Sequence, residues 1–127
     1  LRMLAGTGRA IWIDAGAGGT EAQAVREALA QAGLGGEQLR VLNGSFAAFT
    51  CAIRHAALYV GYDSADQHAA AALGIPSVTI FRGFANERMF QRWQPRGGDL
   101  AQVIRVGEKW AGEEVLCEAA TAVRRVL

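Results

Sequence analysis

Leu58-Tyr59-Val60-Gly61-Tyr62-Asp63-Ser64-Ala65-Asp66-Gln67-His68-Ala69-Ala70-Ala71-Ala72-Leu73-Gly74-Ile75-Pro76 runs a strand directly into a helix. Leu58-Tyr59-Val60 supply β-favouring residues, and Gly74 with Pro76 stops the helix that follows. Ser64 is a good N-cap. Gln67 stands three positions later, so Ser64-x-x-Gln67 has the form of a capping box, with the Ser64 oxygen expected on the Gln67 backbone N–H. Backbone N–H groups just after such a cap lack a helical partner and lie at the positive end of the helix dipole. They form a natural anion site. A phosphate is expected here before anywhere else in the chain.

The same alternation extends in both directions. Ala10–Ile13 reads as a buried strand, ending in the turn Gly16-Ala17-Gly18-Gly19. Glu21–Ala32 reads as a helix, with Val25, Ala28, Leu29 and Ala32 on one stripe and Gly33 as its stop. Leu39–Leu42 is a second strand. Ser45 caps a helix through about His55, with Phe49, Ala52, Ile53 and Ala56 on one face. Leu58–Tyr62 and Ser77–Phe81 are the third and fourth strands, Val103–Val106 the fifth, and residues 84–96 an irregular or partly helical loop. Glu113–Leu127 closes the chain as a helix with Val115, Leu116, Ala119, Ala122, Val123 and Val126 inward. Strands alternating with helices over short connections imply an α/β fold, a parallel sheet with helices on both faces. Right-handed crossovers then place the loops Gly16–Glu21, Asn43–Ser45, Asp63–His68 and Gly83–Arg96 on one edge, at the carboxyl ends of the strands.

Composition narrows the class. A chain of 127 residues supports one domain with a real core, 1–127. A net charge of +1 gives no electrostatic case for nucleic acid as a partner. Cys51 and Cys117, the two cysteines, each sit in an apolar helical pattern and read as reduced core thiols, with a disulfide or metal site as the alternative. No apolar run approaches the roughly 20 residues of a transmembrane segment, and no signal peptide is visible. A cytoplasmic protein is expected. Because the chain opens on Leu1 and not Met, it is expected to be a piece of something longer, or a processed product.

Several groups invite chemistry. The Gly16-Ala17-Gly18-Gly19 turn suggests a dinucleotide fingerprint, but Glu21 stands at its third glycine position and no acidic residue closes the next strand. Asn43-Gly44-Ser45 supplies a turn and an N-cap. Asp63 is either a strand-end carboxylate held by backbone donors or a ligand-binding group, and His68 either a polar surface residue or a phosphate contact. His55, near a helix end, reads as structural. Arg82, Arg88, Arg92 and Arg96 interleave with Phe84, Phe90 and Trp93. They are a solvated loop whose aromatics pack on the sheet edge, or a phosphate-gripping lid. No spaced His/Cys/Asp cluster implies a metal.

Asp63-Ser64-Ala65-x-x-His68-x-Ala70-Ala71-Ala72-x-Gly74-x-Pro76 resembles the donor-binding signature of glycosyltransferase family nine, the ADP-heptose lipopolysaccharide heptosyltransferases. That pattern is Asp-Thr/Ser-Gly-x-x-His-x-Ala-Ala-Ala-x-Gly-x-Pro, followed by a strand ending in Phe, which Val78-Thr79-Ile80-Phe81 matches. Leu42–Ser45 and Ala56-Ala57-Leu58 follow the family's layout too, so the likeness runs from about Ile11 to Gly97. Ala65 departs from the usual Gly, placing a methyl where a diphosphate would press on the backbone.

The resemblance implies the Rossmann-like, donor-binding C-terminal half of a GT-B fold, in a longer two-domain chain. It implies transfer of heptose or a related sugar from an ADP-sugar to a lipopolysaccharide-core acceptor, without a cofactor or metal. Asp63 would accept hydrogen bonds from the sugar. The N–H groups of Ser64 and Ala65 would face the phosphates, and His68 would offset charge on the leaving diphosphate. Gly44 and Ser45 would lie at the adenosine, and Glu21 at its ribose or base. The general base and acceptor site belong to the family's N-terminal domain, and the donor domain's first strand, with its Lys, would precede Leu1. This stretch alone is therefore expected to bind and not to catalyse. The full protein is expected in the cytoplasm, peripheral to the inner membrane. The alternative is a stand-alone flavodoxin-like nucleotide-binding or interaction module. A response regulator fits worse, since its acidic cluster and Lys placement are missing.

Overall fold

The computed structural model describes residues 2–16 and 18–127, with Arg2 described by its backbone only. Leu1, and the Ala17 position of the Gly-rich turn, lie outside the described residues. The chain divides into two compact units, Leu1–Phe49 and Thr50–Leu127.

In the first unit a short helix α1 (Arg2–Ala5) precedes β1 (Ile11–Asp14), α2 (Gly19–Gln31) and β2 (Leu39–Leu42). β1 and β2 pair in parallel, with Ile11 opposite Leu39 and Asp14 opposite Leu42. Leu29 and Ala22 bury the inner stripe of α2. The helix ends as its sequence requires: Gly33 takes a left-handed φ of 64°, and the Leu34 N–H donates to the Leu29 carbonyl at 2.9 Å. β1 is not the buried strand expected. Its exposure alternates, with Trp12 51% exposed, because only one face of its pleat is covered.

Helix α3 (Phe46–Arg54) crosses the boundary between the units. The second unit continues with β3 (Tyr59–Tyr62), α4 (Ala65–Ala72), β4 (Ser77–Phe81), α5 (Glu87–Trp93), a 3₁₀ turn (Gly98–Leu100), β5 (Ala101–Arg105) and α6 (Gly112–Val126). β3, β4 and β5 form a parallel sheet in that order, with Tyr59 opposite Ser77 and Ser77 opposite Ala101. All five residues of β4 are buried, so the centre of this sheet is covered on both faces. α4 packs on β3 and β4, and α6 on β4 and β5.

Every strand pairing is parallel, as the alternation implies. Among the described residues the pairings form two sheets, however, not one. The alternation of strands with helices implies parallel pairing but carries no information on which strands share a ladder. β5 also begins two residues earlier than expected.

Two expectations about the core are corrected. Leu116 is 68% exposed, because Ala122 and Val123 carry the buried stripe of α6. Cys51 and Cys117 are free thiols, as expected, but both are exposed and not in the core.

The segment after β4 is built around aromatic rings. Phe81 and Phe90 meet edge to face with centroids 5.2 Å apart, and Phe84 lies 5.2 Å from Phe90. The Arg105 guanidinium stands 4.5 Å from the Phe84 centroid and 4.8 Å from that of Phe90, a cation–π arrangement. It also pairs with Glu87 at 2.6 Å. Phe84 and Phe90 thus pack as the structural reading of the Arg/Phe run expects. Trp93 does not, being 47% exposed.

Candidate functional site at the start of α4

Asp63, Ser64, Ala65 and His68 lie where β3 hands over to α4, at the carboxyl end of its strand. Parallel sheets bind ligands on that edge. Ser64 occupies the N-cap position with extended backbone (φ −148°, ψ 173°). The expected capping box does not form. The Ser64 side chain accepts no hydrogen bond from α4; its Oγ lies 3.4 Å from the Tyr59 hydroxyl. The Tyr59 ring fills the space a Cβ at Gly61 would need, so the glycine in β3 lets the phenol reach toward Ser64.

Gln67, the other half of the expected box, has also been drawn elsewhere. Its side chain is fully buried, and Nε2 donates to Asp63 Oδ1 at 2.7 Å and to the Trp93 carbonyl at 3.3 Å. Neither half of the expected box therefore caps α4. Asp63, Ser64 and Ala65 are exposed. This helix N-terminus faces solvent, as an anion site does, with the Asp63 carboxylate, fixed by Gln67, beside it and Asp66 in its first turn.

His68 is half-buried, with its ring centroid 6.2 Å from that of Trp93. It lines a pocket of about 260 Å³ together with Ala71, Ala72, Arg92, Gln94 and Arg96. No carboxylate lines this pocket. Arg92 lies in the last turn of α5, where a cation complements the helix dipole. The run of arginines thus contributes Arg92 and Arg96 beside His68, a grouping that sequence spacing alone does not reveal, since it depends on how α5 packs on α4.

The first unit holds the remaining predicted residues. The Ser45 Oγ accepts the Ala48 N–H at 3.3 Å, so Ser45 caps α3 as expected. A Cβ at Gly44 would stand 3.3 Å from the Ala48 methyl, a tight approach that favours glycine there. Glu21 lies in the first turn of α2, and its side chain covers the space beside Gly16 that a Cβ would enter. Gly16 has a φ of 79° and donates its N–H to Asp14 Oδ1 at 3.1 Å. Asp14 went unnoticed in the sequence, although Asp-x-Gly after a strand is the composition of an Asx-turn.

The sequence profile of glycosyltransferase family 9 (heptosyltransferase) matches residues 2–114. The chain belongs to glycosyltransferase family 9. The match includes every strand and the whole Asp63–Pro76 segment, so family 9 membership rests on most of the sequence and not on one motif. No curated protein and no solved structure matches the chain. As a family 9 glycosyltransferase domain it belongs to proteins that use a nucleotide-sugar donor and an acceptor. No helix among the described residues is long and apolar enough to cross a membrane.

Proposed function

We propose that the chain is the donor-binding part of a two-domain glycosyltransferase. The full protein moves heptose, or a related sugar, from an ADP-sugar to a lipopolysaccharide-core acceptor, working in the cytoplasm at the inner membrane. The observation that carries this reading is the exposed N-terminus of α4, which Ser64 does not cap, beside Asp63 and inside a family 9 match that covers residues 2–114.

The roles follow from charge. The bond between the anomeric carbon and the phosphate oxygen breaks as the acceptor hydroxyl attacks, and negative charge grows on the departing ADP. N–H groups at the start of α4 stabilise that charge without reorganising, and the Ser64 hydroxyl offers a further donor. Arg92 and Arg96 supply positive charge on the flank of the helix, around the same pocket in which His68 offers an imidazole N–H. A carboxylate beside a diphosphate repels it, so Asp63 is assigned to the hydroxyls of the sugar. Gly44, Ser45 and Glu21 are assigned to the nucleoside. The general base is assigned to the N-terminal domain of the full protein.

Calorimetric titration of the full-length protein with ADP, UDP and GDP tests the proposal. ADP is expected to bind tightest. Tighter binding of UDP or GDP would remove the ADP-sugar assignment and leave family membership intact.

A further inference from the structure

Gln67 is fully buried, and its Nε2 makes two hydrogen bonds while its Oε1 has no partner among the described residues. It occupies the third position of α4, where a glutamine in a capping box would reach back to the N-cap backbone. Here it reaches one residue further, to the carboxylate of Asp63, at the 2.7 Å typical of a charge-assisted bond. The second contact of the same Nε2 goes to the carbonyl of Trp93, the last residue of α5. That carbonyl belongs to a helix end that must find donors outside its own helix.

Both partners can only accept. A carboxylate and a backbone carbonyl offer no proton to an amide oxygen, so the amide cannot turn over without losing both bonds. With the side chain fully buried, its rotamer is held by packing as well. One buried amide thus fixes an exposed carboxylate, at the loop between β3 and α4, against the end of α5.

From this geometry we infer that Gln67 is a positioning residue for Asp63. It holds Oδ1 and presents the carboxylate in a single orientation. The entropy of ordering Asp63 is then lost on folding and not when substrate binds. The inference rests on the reading that Asp63 contacts the donor sugar. A purely structural Gln67 would tie α4 to α5 and affect stability alone.

The test uses the full-length protein with ADP-heptose for turnover and ADP for binding. Gln67→Met keeps the side-chain volume and removes the donor. Turnover is expected to fall about tenfold or more, with ADP affinity within about twofold of wild type. Gln67→Leu, which also lacks the donor, is expected to lose as much, and it serves if Gln67→Met fails to fold. In the background of Asp63→Ala, a substitution at Gln67 is expected to cause no further loss of turnover. Full turnover in Gln67→Met, while Asp63→Ala is slow, overturns the positioning role and leaves the assignment of Asp63 standing. Losses that multiply in the double variant overturn it too. Unchanged turnover in Asp63→Ala itself overturns the assignment of Asp63 to the sugar, and the role of Gln67 falls with it.

Discussion

The Ser64 hydroxyl lies 3.4 Å from the Tyr59 hydroxyl and makes no cap bond to α4. That separation is long for an O–H···O hydrogen bond, so Ser64 contributes little to holding the helix. Asn86 provides the contrast, since its Oδ1 accepts the Met89 N–H at 2.9 Å at the start of α5. Ser64→Ala is expected to change unfolding free energy by less than about 0.5 kcal/mol, and Asn86→Ala to cost about 1 kcal/mol. Denaturant titration of both variants checks this, and the reverse ranking would show that Ser64 caps α4 after all.

Much of the fold was legible because it rests on local patterns. Periodicity located β3, β4 and α4 to within a residue or two, and Gly33 and Ser45 marked helix ends with side-chain or backbone chemistry that the structure shows. What stayed hidden depends on long-range packing. The Gln67 side chain could be assigned to a capping box because the sequence does not show that the Trp93 carbonyl, 26 residues away, competes for it. Leu116 fits the helical stripe by spacing, but the burial of α6 centres on Ala122 and Val123. Likewise, His68, Arg92 and Arg96 meet around one pocket only because α5 lies beside α4. The residues of the α4 N-terminus were readable from spacing; the bonds they make were not.

Ser77 and Thr79 project from the same face of β4, are fully buried, and their hydroxyls have no hydrogen-bond partner among the described residues. A buried hydroxyl in that state costs roughly 1–3 kcal/mol, and an apolar isostere removes the cost. Thr79→Val is expected to raise unfolding stability by about 1 kcal/mol, read from the shift in denaturation midpoint at constant slope. A loss of similar size would mean the hydroxyl is hydrogen-bonded in the folded protein.

Glu87 sets an acid limb on stability. The Gln91 side chain donates to its carboxylate at 2.9 Å, Arg105 bonds it as well, and together they hold its pKa below the usual carboxylate range. A lowered folded-state pKa means the unfolded chain binds more protons in the acid range. The stabilisation is therefore present at neutral pH and lost as pH falls through the folded-state value. Glu87→Gln is expected to flatten the stability profile below about pH 5, a small effect because both partners are about half exposed. Identical acid limbs in the two proteins would show that the Arg105–Glu87 pair forms no better in the folded state than in the unfolded one.

Asp63 and His68 should fail in different ways. Asp63 sits just before α4 with one carboxylate oxygen held by Gln67, and a carboxylate cannot favour a diphosphate beside it. His68 lines a pocket whose other polar members are Arg92, Gln94 and Arg96, and an imidazole N–H can donate to a phosphate oxygen. In the full-length protein, Asp63→Ala is therefore expected to lower turnover more than it lowers affinity for ADP, which lacks the sugar. His68→Ala is expected to weaken ADP itself about tenfold or more, the scale of one lost hydrogen bond to a charged group. Arg92→Ala should resemble His68→Ala in direction, and its effect should shrink as salt rises, because an exposed cation is screened. Paired calorimetry and single-turnover kinetics separate the two classes. If Asp63→Ala abolished ADP binding in a folded protein, its carboxylate would have to act on the nucleotide and not on the sugar. If His68→Ala left both quantities unchanged, the pocket beside α4 would have no part in holding the diphosphate.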